Sequence, residues 1–220
     1  MSFKAIINIT YMKFETHTIM GSEVRIPIPE GYGDCVKLIK SDSYRHNGRN
    51  DSMFKIWIGS FTRTSMGFSI WYRLSQHKGW AYPFIKFMLN RYKLKCGLFI
   101  PAKTRIGYGM YIQHCFGIVI NSTAIVGNNS HFSQFTSIGA NTPQAAKVGD
   151  NVYFGPGSIV IDNVEIGTGA CIGGGAVVVK NVNGNAVVGG VPAKELNTSP
   201  HPEYIRHPYK EEWLNIKRKD

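Results

Sequence analysis

The sequence has no long hydrophobic run. Its uncharged apolar stretches, such as 79–85, fall far short of the roughly 20 residues that a transmembrane helix needs. The first ten residues also lack an apolar core followed by small residues, the pattern of a secretory signal, so we expect a cytoplasmic protein. Disorder is not expected either, because 43% of the residues are hydrophobic and only 18% are charged. The 220 residues suffice for one large or two small domains.

The four cysteines follow no recognisable pattern. Cys35, Cys96, Cys115 and Cys171 form neither a CxxC pair nor a set with metal-ligand spacing. We therefore expect free thiols in a reducing compartment and no bound metal.

Acidic residues are few, and the excess of positive charge is uneven. The formal net charge is +11, and residues 1–99 hold 15 Lys and Arg against 6 Asp and Glu. A basic half of this kind can meet nucleic acid, an anionic membrane surface or an acidic substrate. We expect no nucleic-acid partner, because the basic residues are dispersed and no binding motif accompanies them. A solvated basic surface is the alternative to any specific anionic partner.

What the sequence does contain is a phrase that repeats every six residues. An apolar residue is often followed by Gly, and a small or β-branched residue stands four places on. A short fixed period marks a solenoid, in which each repeat buries its apolar face only against its neighbours. Three such sides make a triangular coil of about 18 residues, with apolar side chains inside and small residues at the corners. The predicted inward positions are Ile100, Ile106, Ile112, Ile120, Val126, Phe132, Ile138, Val148, Phe154, Val160, Ile166, Ile172 and Val178.

This phrase resembles the hexapeptide repeat of the left-handed parallel β-helix acyltransferases. About four coils can be counted from 100 to 183, and residues 190–194, GVPAK, resemble the closing signature of that family. The resemblance covers about 95 of the 220 residues. It implies a mainly β protein with a left-handed parallel β-helix over residues 99–194, and acetyl-CoA as co-substrate.

The segments outside the repeat differ in character. Residues 1–50 carry turn signals and predict an N-terminal arm with turns and short strands. Residues 51–98 predict a helical region, which we expect to break near Gly67, near Gly79 and at Pro83. The last segment, 195–220, is expected to be a C-terminal tail.

The helical region combines apolar and basic residues. Phe54, Ile58 and Phe61 form one group at helical spacing, and further apolar residues continue the pattern to Leu89. Aromatic residues interleaved with Lys and Arg can rest on a membrane surface. Such a stripe more often belongs to the core or to a subunit interface, which is our expectation here.

The six-residue period fails at two places, and function is expected where a pattern fails. The spacing is eight between Ile112 and Ile120, and ten between Ile138 and Val148. Counted by sides, the first break, which contains His114, lies at the corner between the third and first faces. The second break lies at the corner between the first and second faces. One prism cannot bring two corners together, so we predict a homotrimer with active sites at subunit junctions, and a dimer of trimers stays open.

His114 is the strongest candidate for chemistry. An imidazole with a pKa near 6.5 can take a proton from an alcohol that attacks a thioester. Residues 111–124 resemble the serine acetyltransferase branch of the family, in which an aspartate–histidine pair opens a similar segment and the histidine is the general base. The resemblance implies that His114 is the catalytic base for direct transfer from acetyl-CoA. A histidine merely tolerated at a corner is the alternative.

The departures from that branch concern the acceptor. Gln113 replaces the aspartate before the histidine, and Phe99 aligns with the aspartate that orients the base. Gln144 and Ala145 align with an arginine–histidine pair that holds the carboxylate of the amino acid. An amino-acid acceptor needs charged partners. We therefore expect a sugar hydroxyl of a surface polysaccharide or its precursor as acceptor, with Gln113 and Gln144 as substrate-binding residues.

The later coils offer small residues that leave the backbone open to a ligand. The resemblance implies that the pantetheine arm of CoA follows such a groove, with an amide near Ala140 as oxyanion donor. The expected cofactor contacts are Gly139, Ala140, Pro156, Gly157, Gly174, Gly175, Lys180 and Lys194. A metal site is not expected, because a β-helix carbonic anhydrase needs three histidines and only His114 and His131 lie in the coils.

The sequence thus predicts an acetyl-CoA-dependent O-acetyltransferase that acts on a carbohydrate hydroxyl. Serine O-acetyltransferase and amino-sugar N-acyltransferase are the enzymatic alternatives. A catalytically inactive β-helix that serves as a scaffold or binding module is the alternative from another class.

Overall fold

The described part of the chain begins with a hairpin. The computed structural model describes residues 12–215, so the outermost parts of the predicted arm and tail lie outside the described residues. Strands β1 (Lys13–Ile19) and β2 (Ser22–Ile28) pair antiparallel. The turn residues Met20 and Gly21 both have positive φ, 47° and 77°, which suits the twist of a tight hairpin. The hairpin agrees with the short strands predicted for residues 1–50.

Four helices follow the hairpin: α1 (Tyr32–Asn47), α2 (Met53–Thr62), α3 (Thr64–Leu74) and α4 (Tyr82–Cys96). Helices α1 and α4 end at Gly48 and Gly97, which have φ of 66° and 60°, the left-handed conformation that glycine adopts at little cost. Within residues 12–215 none of the helices has the length and apolar character needed to cross a bilayer.

Helix α1 contradicts the prediction of an arm of turns and short strands. Its buried residues include Ser41, Asp42, Ser43 and Arg45, so the sequence shows no apolar helical period there. Pro29 and Gly31 lie between β2 and α1, while Pro27 belongs to β2 and Gly33 to the first turn of α1, so these residues do not mark the whole segment as irregular.

The predicted helical region contains α2, α3 and α4, but not every predicted break is right. Gly79 lies in the loop before α4, and Pro83 lies in its first turn, where a missing N–H costs nothing. Gly67 lies inside α3, and a Cβ there would stand 2.3 Å from the Tyr92 ring, so this glycine permits a close approach instead of a break. The helix interruption occurs at Arg63, which is extended. The division at residues 50, 98 and 194 stays a prediction.

The group Phe54, Ile58 and Phe61 does not enter the core. These side chains are 71%, 50% and 65% exposed, and α2 instead buries Ile56 and Ser60. The periodicity was therefore that of a helix, but the face it indicated points to solvent.

Residues 99–197 form a parallel β-helix with three faces. The faces are numbered in chain order, with Ile100 on face one, Ile106 on face two and Ile112 on face three. Face one holds β5 (Val119–Ile120), β8 (Ser137–Gly139), β11 (Ile159–Ile161) and β14 (Val177–Val178). Face two holds β3 (Arg105–Ile106), β6 (Ile125–Val126), β9 (Lys147–Val148) and β12 (Glu165–Ile166). Face three holds β4 (Tyr111–Ile112), β7 (His131–Phe132), β10 (Tyr153–Phe154), β13 (Cys171–Ile172), β15 (Val187–Gly189) and β16 (Lys194–Asn197), the last antiparallel to β15.

The interior follows the predicted six-residue phrase. Each of the predicted inward positions from Ile100 to Val178 is at most 2% exposed. Phe132 and Phe154 stack inside the prism with ring centroids 5.2 Å apart. The small residues four places on, such as Thr104 and Ala176, are buried at the corners. The predicted fold class, a β-helix of about four coils preceded by helices, is confirmed.

A buried ion pair joins the helices to the first coil. Arg73 on α3 donates to both carboxylate oxygens of Asp42 on α1, at 2.8 and 2.9 Å, and both side chains are fully buried. The guanidinium also donates to the carbonyls of Ile106 and Gly107, while Asp42 accepts the Met110 N–H at 2.8 Å. The pair therefore satisfies backbone groups at the open end of the β-helix.

Replacing Arg73 by Met should destabilise the protein by about 3–5 kcal/mol, because it leaves Asp42 buried without its counter-ion. Urea denaturation measures the change. The control is Lys13→Met, which removes one partner of an exposed pair with Glu30 and should cost less than about 0.5 kcal/mol. Equal stability of the two variants would contradict this role of the pair.

Asp150 makes stability depend on pH. Its Oδ1 accepts from the backbone and side-chain nitrogens of Asn128, at 2.7 and 2.9 Å, while burial raises the pKa of the carboxyl to about 6. A raised pKa means that the folded state holds the proton more tightly, so this stabilisation is complete at about pH 4 and is lost as pH rises through about 6.

Asp150→Asn keeps the accepting oxygen and removes the charge. We expect the variant to be more stable than the parent by on the order of 2 kcal/mol near pH 8, and the difference to vanish near pH 4. Thermal unfolding across this range tests it. Parallel curves for the two proteins would show that Asp150 does not titrate in the folded state as described.

Candidate functional site

The corner between faces three and one contains two extra residues in the first coil. Gln113 donates its N–H to the Phe132 carbonyl at 2.8 Å, and the Phe116 carbonyl accepts the next coil's N–H at 3.0 Å. His114 and Cys115 stand between these two ladder positions. The longer spacing found in the sequence is therefore an insertion of these two residues at the predicted corner.

The side chains of the insertion point in different directions. His114 is exposed, its φ is 49°, and no residue from 12 to 215 makes a hydrogen bond or ion pair with its ring. Cys115 packs against the core beside Cys96. A hydrogen bond with Cys96 and burial raise the pKa of the Cys115 thiol, which makes Cys115 a poor nucleophile. Of these two side chains, His114 is the one that the corner exposes to solvent.

The same corner carries four of the predicted cofactor residues in later coils. Pro156 and Gly157 lie between β10 and β11, and Gly174 and Gly175 lie between β13 and β14. The Gly175 N–H donates to the Pro156 carbonyl at 2.9 Å. Gly157 and Gly175 have φ of 69° and 68°, so the backbone conformation alone accounts for both glycines.

Gly139 and Ala140 lie at the other edge of face one, where they line a cleft of about 510 Å³. A Cβ on Gly139 would meet nothing within 4 Å, and its φ is outside the left-handed region. Neither packing nor backbone conformation therefore requires glycine here, so the position is open to a ligand. His114 lies outside this cleft.

The second break forms the predicted bulge at the corner between faces one and two. The Gln144 side-chain amide donates to the Thr123 carbonyl, and the Ala145 N–H donates to Thr123 Oγ1 at 3.0 Å. Ala145 is buried. Gln144 is thus held against the preceding coil, on a different corner from His114, and a single chain does not bring the two together.

Gln113, the other predicted substrate residue, is engaged on face three. Its Oε1 lies 2.9 Å from His131 Nε2, and His131 Nδ1 lies 2.9 Å from the Tyr204 carbonyl oxygen. Burial, and then the cations Arg45 and Arg206, lower the pKa of His131 to about 4. The ring is therefore neutral at pH 7, and its contact with the Tyr204 carbonyl joins face three to the C-terminal segment.

The two lysines among the predicted cofactor contacts are exposed. Lys180 follows β14 on the edge that carries Gly139, and Lys194 begins β16. Among residues 12–215 neither ammonium forms an ion pair, so both can meet an anion.

The outer surface of face one is apolar, which the sequence reasoning missed. Phe99, Val119 and Ile159 are 63%, 41% and 38% exposed. Phe116 and Phe135, in contact at 5.6 Å between ring centroids, continue this surface to the corner of the insertion. The sequence did contain a sign of this surface, because these apolar residues occupy outward positions of the repeat, where polar residues are usual.

Comparison with known proteins supports the repeat and the fold. A family model described as bacterial transferase hexapeptide (six repeats) matches residues 145–180. The serine acetyltransferase of Synechococcus elongatus is 34% identical over 111 residues, 49% of this chain and 46% of its own length. The solved serine acetyltransferase of Neisseria gonorrhoeae has a TM-score of 0.61 at 26% identity, over 77% of this chain and 68% of that one. A solved serine acetyltransferase in complex with CoA has a TM-score of 0.56 at 24% identity, over 74% and 70% of the two chains.

The similarity is partial in sequence and wider in structure. The chain spans less than half the length of the curated relatives it matches, 46% and 41% for those of Synechococcus elongatus and Escherichia coli. The structural match extends beyond the β-helix into the preceding helices, since the β-helix alone is shorter than the 77% covered. The chain therefore carries the hexapeptide repeat of bacterial transferases on a fold that it shares with serine acetyltransferases.

Proposed function

We propose that this protein transfers an acetyl group from acetyl-CoA to a hydroxyl group, with His114 as general base. One observation carries the proposal: the β-helix inserts two residues at one corner and presents there an imidazole that no side chain from residue 12 to residue 215 engages. The similarity to serine acetyltransferases supports acetyl-CoA as donor.

The chemistry needs only one proton-accepting group on this chain. His114 takes the proton of the acceptor hydroxyl while its oxygen attacks the acetyl carbonyl. The bond from carbon to sulfur then breaks, the acetyl group stays on the acceptor, and the CoA thiolate takes up a proton. The negative charge that develops on the carbonyl oxygen needs an N–H donor, for which the backbone near Ala140 is our candidate.

Small residues and two lysines are suited to hold CoA. The residues at 156–157 and 174–175 have small side chains, so little protein projects from the His114 edge of face one in the later coils. At the opposite edge of face one, Gly139 leaves space for a ligand. The exposed ammonium groups of Lys180 and Lys194 are our candidates for the phosphates.

The site requires two copies of the chain. His114 and Gly139 lie on opposite edges of face one, and the outer surface between them is apolar and exposed. A second copy that covers face one would bring one chain's His114 edge against the other's Gly139 edge. A closed homotrimer meets this requirement at three equivalent junctions.

Serine is the acceptor that the relatives favour. Serine O-acetyltransferase was an alternative in the prediction from the sequence. The comparisons give no support to a carbohydrate acceptor, which was the main prediction. A neutral hydroxyl, such as that of a sugar, is a second candidate acceptor because of one observation. Gln144 and Ala145 supply no charge for a carboxylate, and the Gln144 amide is occupied by Thr123.

The purified protein should release CoA from acetyl-CoA when L-serine is added. His114→Asn should lower this rate by about 10²–10⁴-fold, because the general base is lost. Its melting temperature should not change, since His114 is exposed and Asn tolerates the left-handed backbone. His207→Asn, which alters another exposed histidine with a left-handed backbone (φ 51°), is the matched control.

The acceptor panel decides between the candidates. A higher rate with serine than with nucleotide sugars or oligosaccharides supports serine, and the reverse order supports the second candidate. No CoA release with any acceptor, together with no heat on titration with CoA, would overturn the proposal in favour of a scaffold.

Sedimentation equilibrium should give the mass of three 24.6 kDa chains. Ile159→Lys places a charge in the middle of face one, so we expect it to yield monomer without activity. Leu196→Lys, on an exposed apolar residue of face three, should leave the trimer intact. A fully active monomer would contradict the shared site.

A further inference from the structure

The helical region lies in a long segment without acidic residues. From residue 52 to residue 149 the sequence contains no Asp or Glu, whereas it contains 11 Lys and Arg. Helices α2, α3 and α4 all fall in this segment. Six basic side chains of these helices and of the segments that connect them are exposed: Lys55, Arg63, Lys78, Lys86, Arg91 and Lys95. Apart from Lys55, which Asp51 contacts at 3.0 Å, these charges have no carboxylate partner among residues 12–215.

Helix α2 presents an apolar face to solvent. Phe54, Trp57, Ile58 and Phe61 stand at spacings of three and four residues, so they share one side of the helix. They are between 50% and 71% exposed, and the rings of Trp57 and Phe61 are 5.0 Å apart. An amphipathic helix normally turns such a face toward the core.

Helix α4 also presents apolar side chains to solvent. Phe84, Phe87 and Leu94 are 59%, 58% and 86% exposed, and Trp80 just before the helix is 91% exposed. Both α2 and α4 pack against α3. We call the exposed apolar residues of α2 and α4, with Trp80, the aromatic face.

The charges around the aromatic face indicate what covers it. So many large apolar side chains exposed on neighbouring helices indicate an interaction surface. A second copy placed symmetrically on it would bring two sets of cations together with no carboxylate between them, which is unfavourable. A bilayer that contains anionic lipids offers the opposite charge, and its interface accommodates Trp and Phe beside Lys and Arg.

We propose that the aromatic face binds an anionic membrane surface, with α2 and α4 lying in the interface. This inference does not rest on the proposed acetyl transfer. It revises the expectation that these aromatic residues belong to the core or a subunit interface.

The test is co-sedimentation of the full chain with two kinds of vesicle, pure phosphatidylcholine and phosphatidylcholine with about a third phosphatidylglycerol. We expect binding only to the anionic vesicles and a marked loss of binding at high salt. The double variant Trp57→Gln, Phe61→Gln should bind at least tenfold more weakly, and so should Lys86→Glu, Arg91→Glu. Leu196→Gln, an exposed apolar residue outside the helices, is the control.

All variants alter exposed side chains away from His114, so acetyl transfer to a soluble acceptor should not change. Absence of vesicle binding, or equal binding to both kinds of vesicle, would overturn the proposal. A change in oligomeric mass of the Trp57→Gln, Phe61→Gln variant, without a change in vesicle binding, would instead assign the face to contacts between copies and also overturn it.

Discussion

The rest of the structure depends on the buried pair of Asp42 and Arg73. A β-helix leaves backbone groups of its first coil without a preceding coil to bond them, so a solenoid needs a cap. Burying two charges is costly unless every remaining polar atom is satisfied. Here the surplus donors of Arg73 reach two first-coil carbonyls, and Asp42 accepts the Met110 N–H from the same coil. These hydrogen bonds fix the helices to the coil that carries His114.

The β-helix was predictable because its core is periodic. Every sixth residue from Ile100 onward points inward, so composition at those positions reveals the fold without any long-range information. The helices before it were less predictable for the same physical reason. Helix α1 buries polar groups such as Asp42, so it has no apolar period, and α2 turns its most apolar side outward. The role of Gly67 was ambiguous in the sequence, because glycine is favoured both where a helix is interrupted and where an aromatic ring packs closely against the backbone.

The site was predictable in position but not in full composition. Counting sides placed His114 and the second break at different corners, and the structure has them there. The partners of Gln113 and Gln144 could not be foreseen. Each partner lies on a neighbouring coil, and the contact depends on how a corner of the β-helix folds back. Within residues 12–215 of one chain, His114 lies at a different corner from Gln144 and at the opposite edge of face one from Gly139. In our proposal, the acceptor pocket therefore forms only where two chains meet.

The central claim is that one chain's His114 edge works with another chain's Gly139 edge, and subunit mixing tests it most directly. His114→Asn removes the base, and Gly139→Trp fills the cleft at a position where a side chain meets no neighbour. Each variant alone should be inactive. Refolded together at equal amounts, they should regain roughly a quarter of the parent activity, because random assembly leaves that fraction of junctions with both edges intact. Activity no greater than that of the separate variants would contradict a shared site.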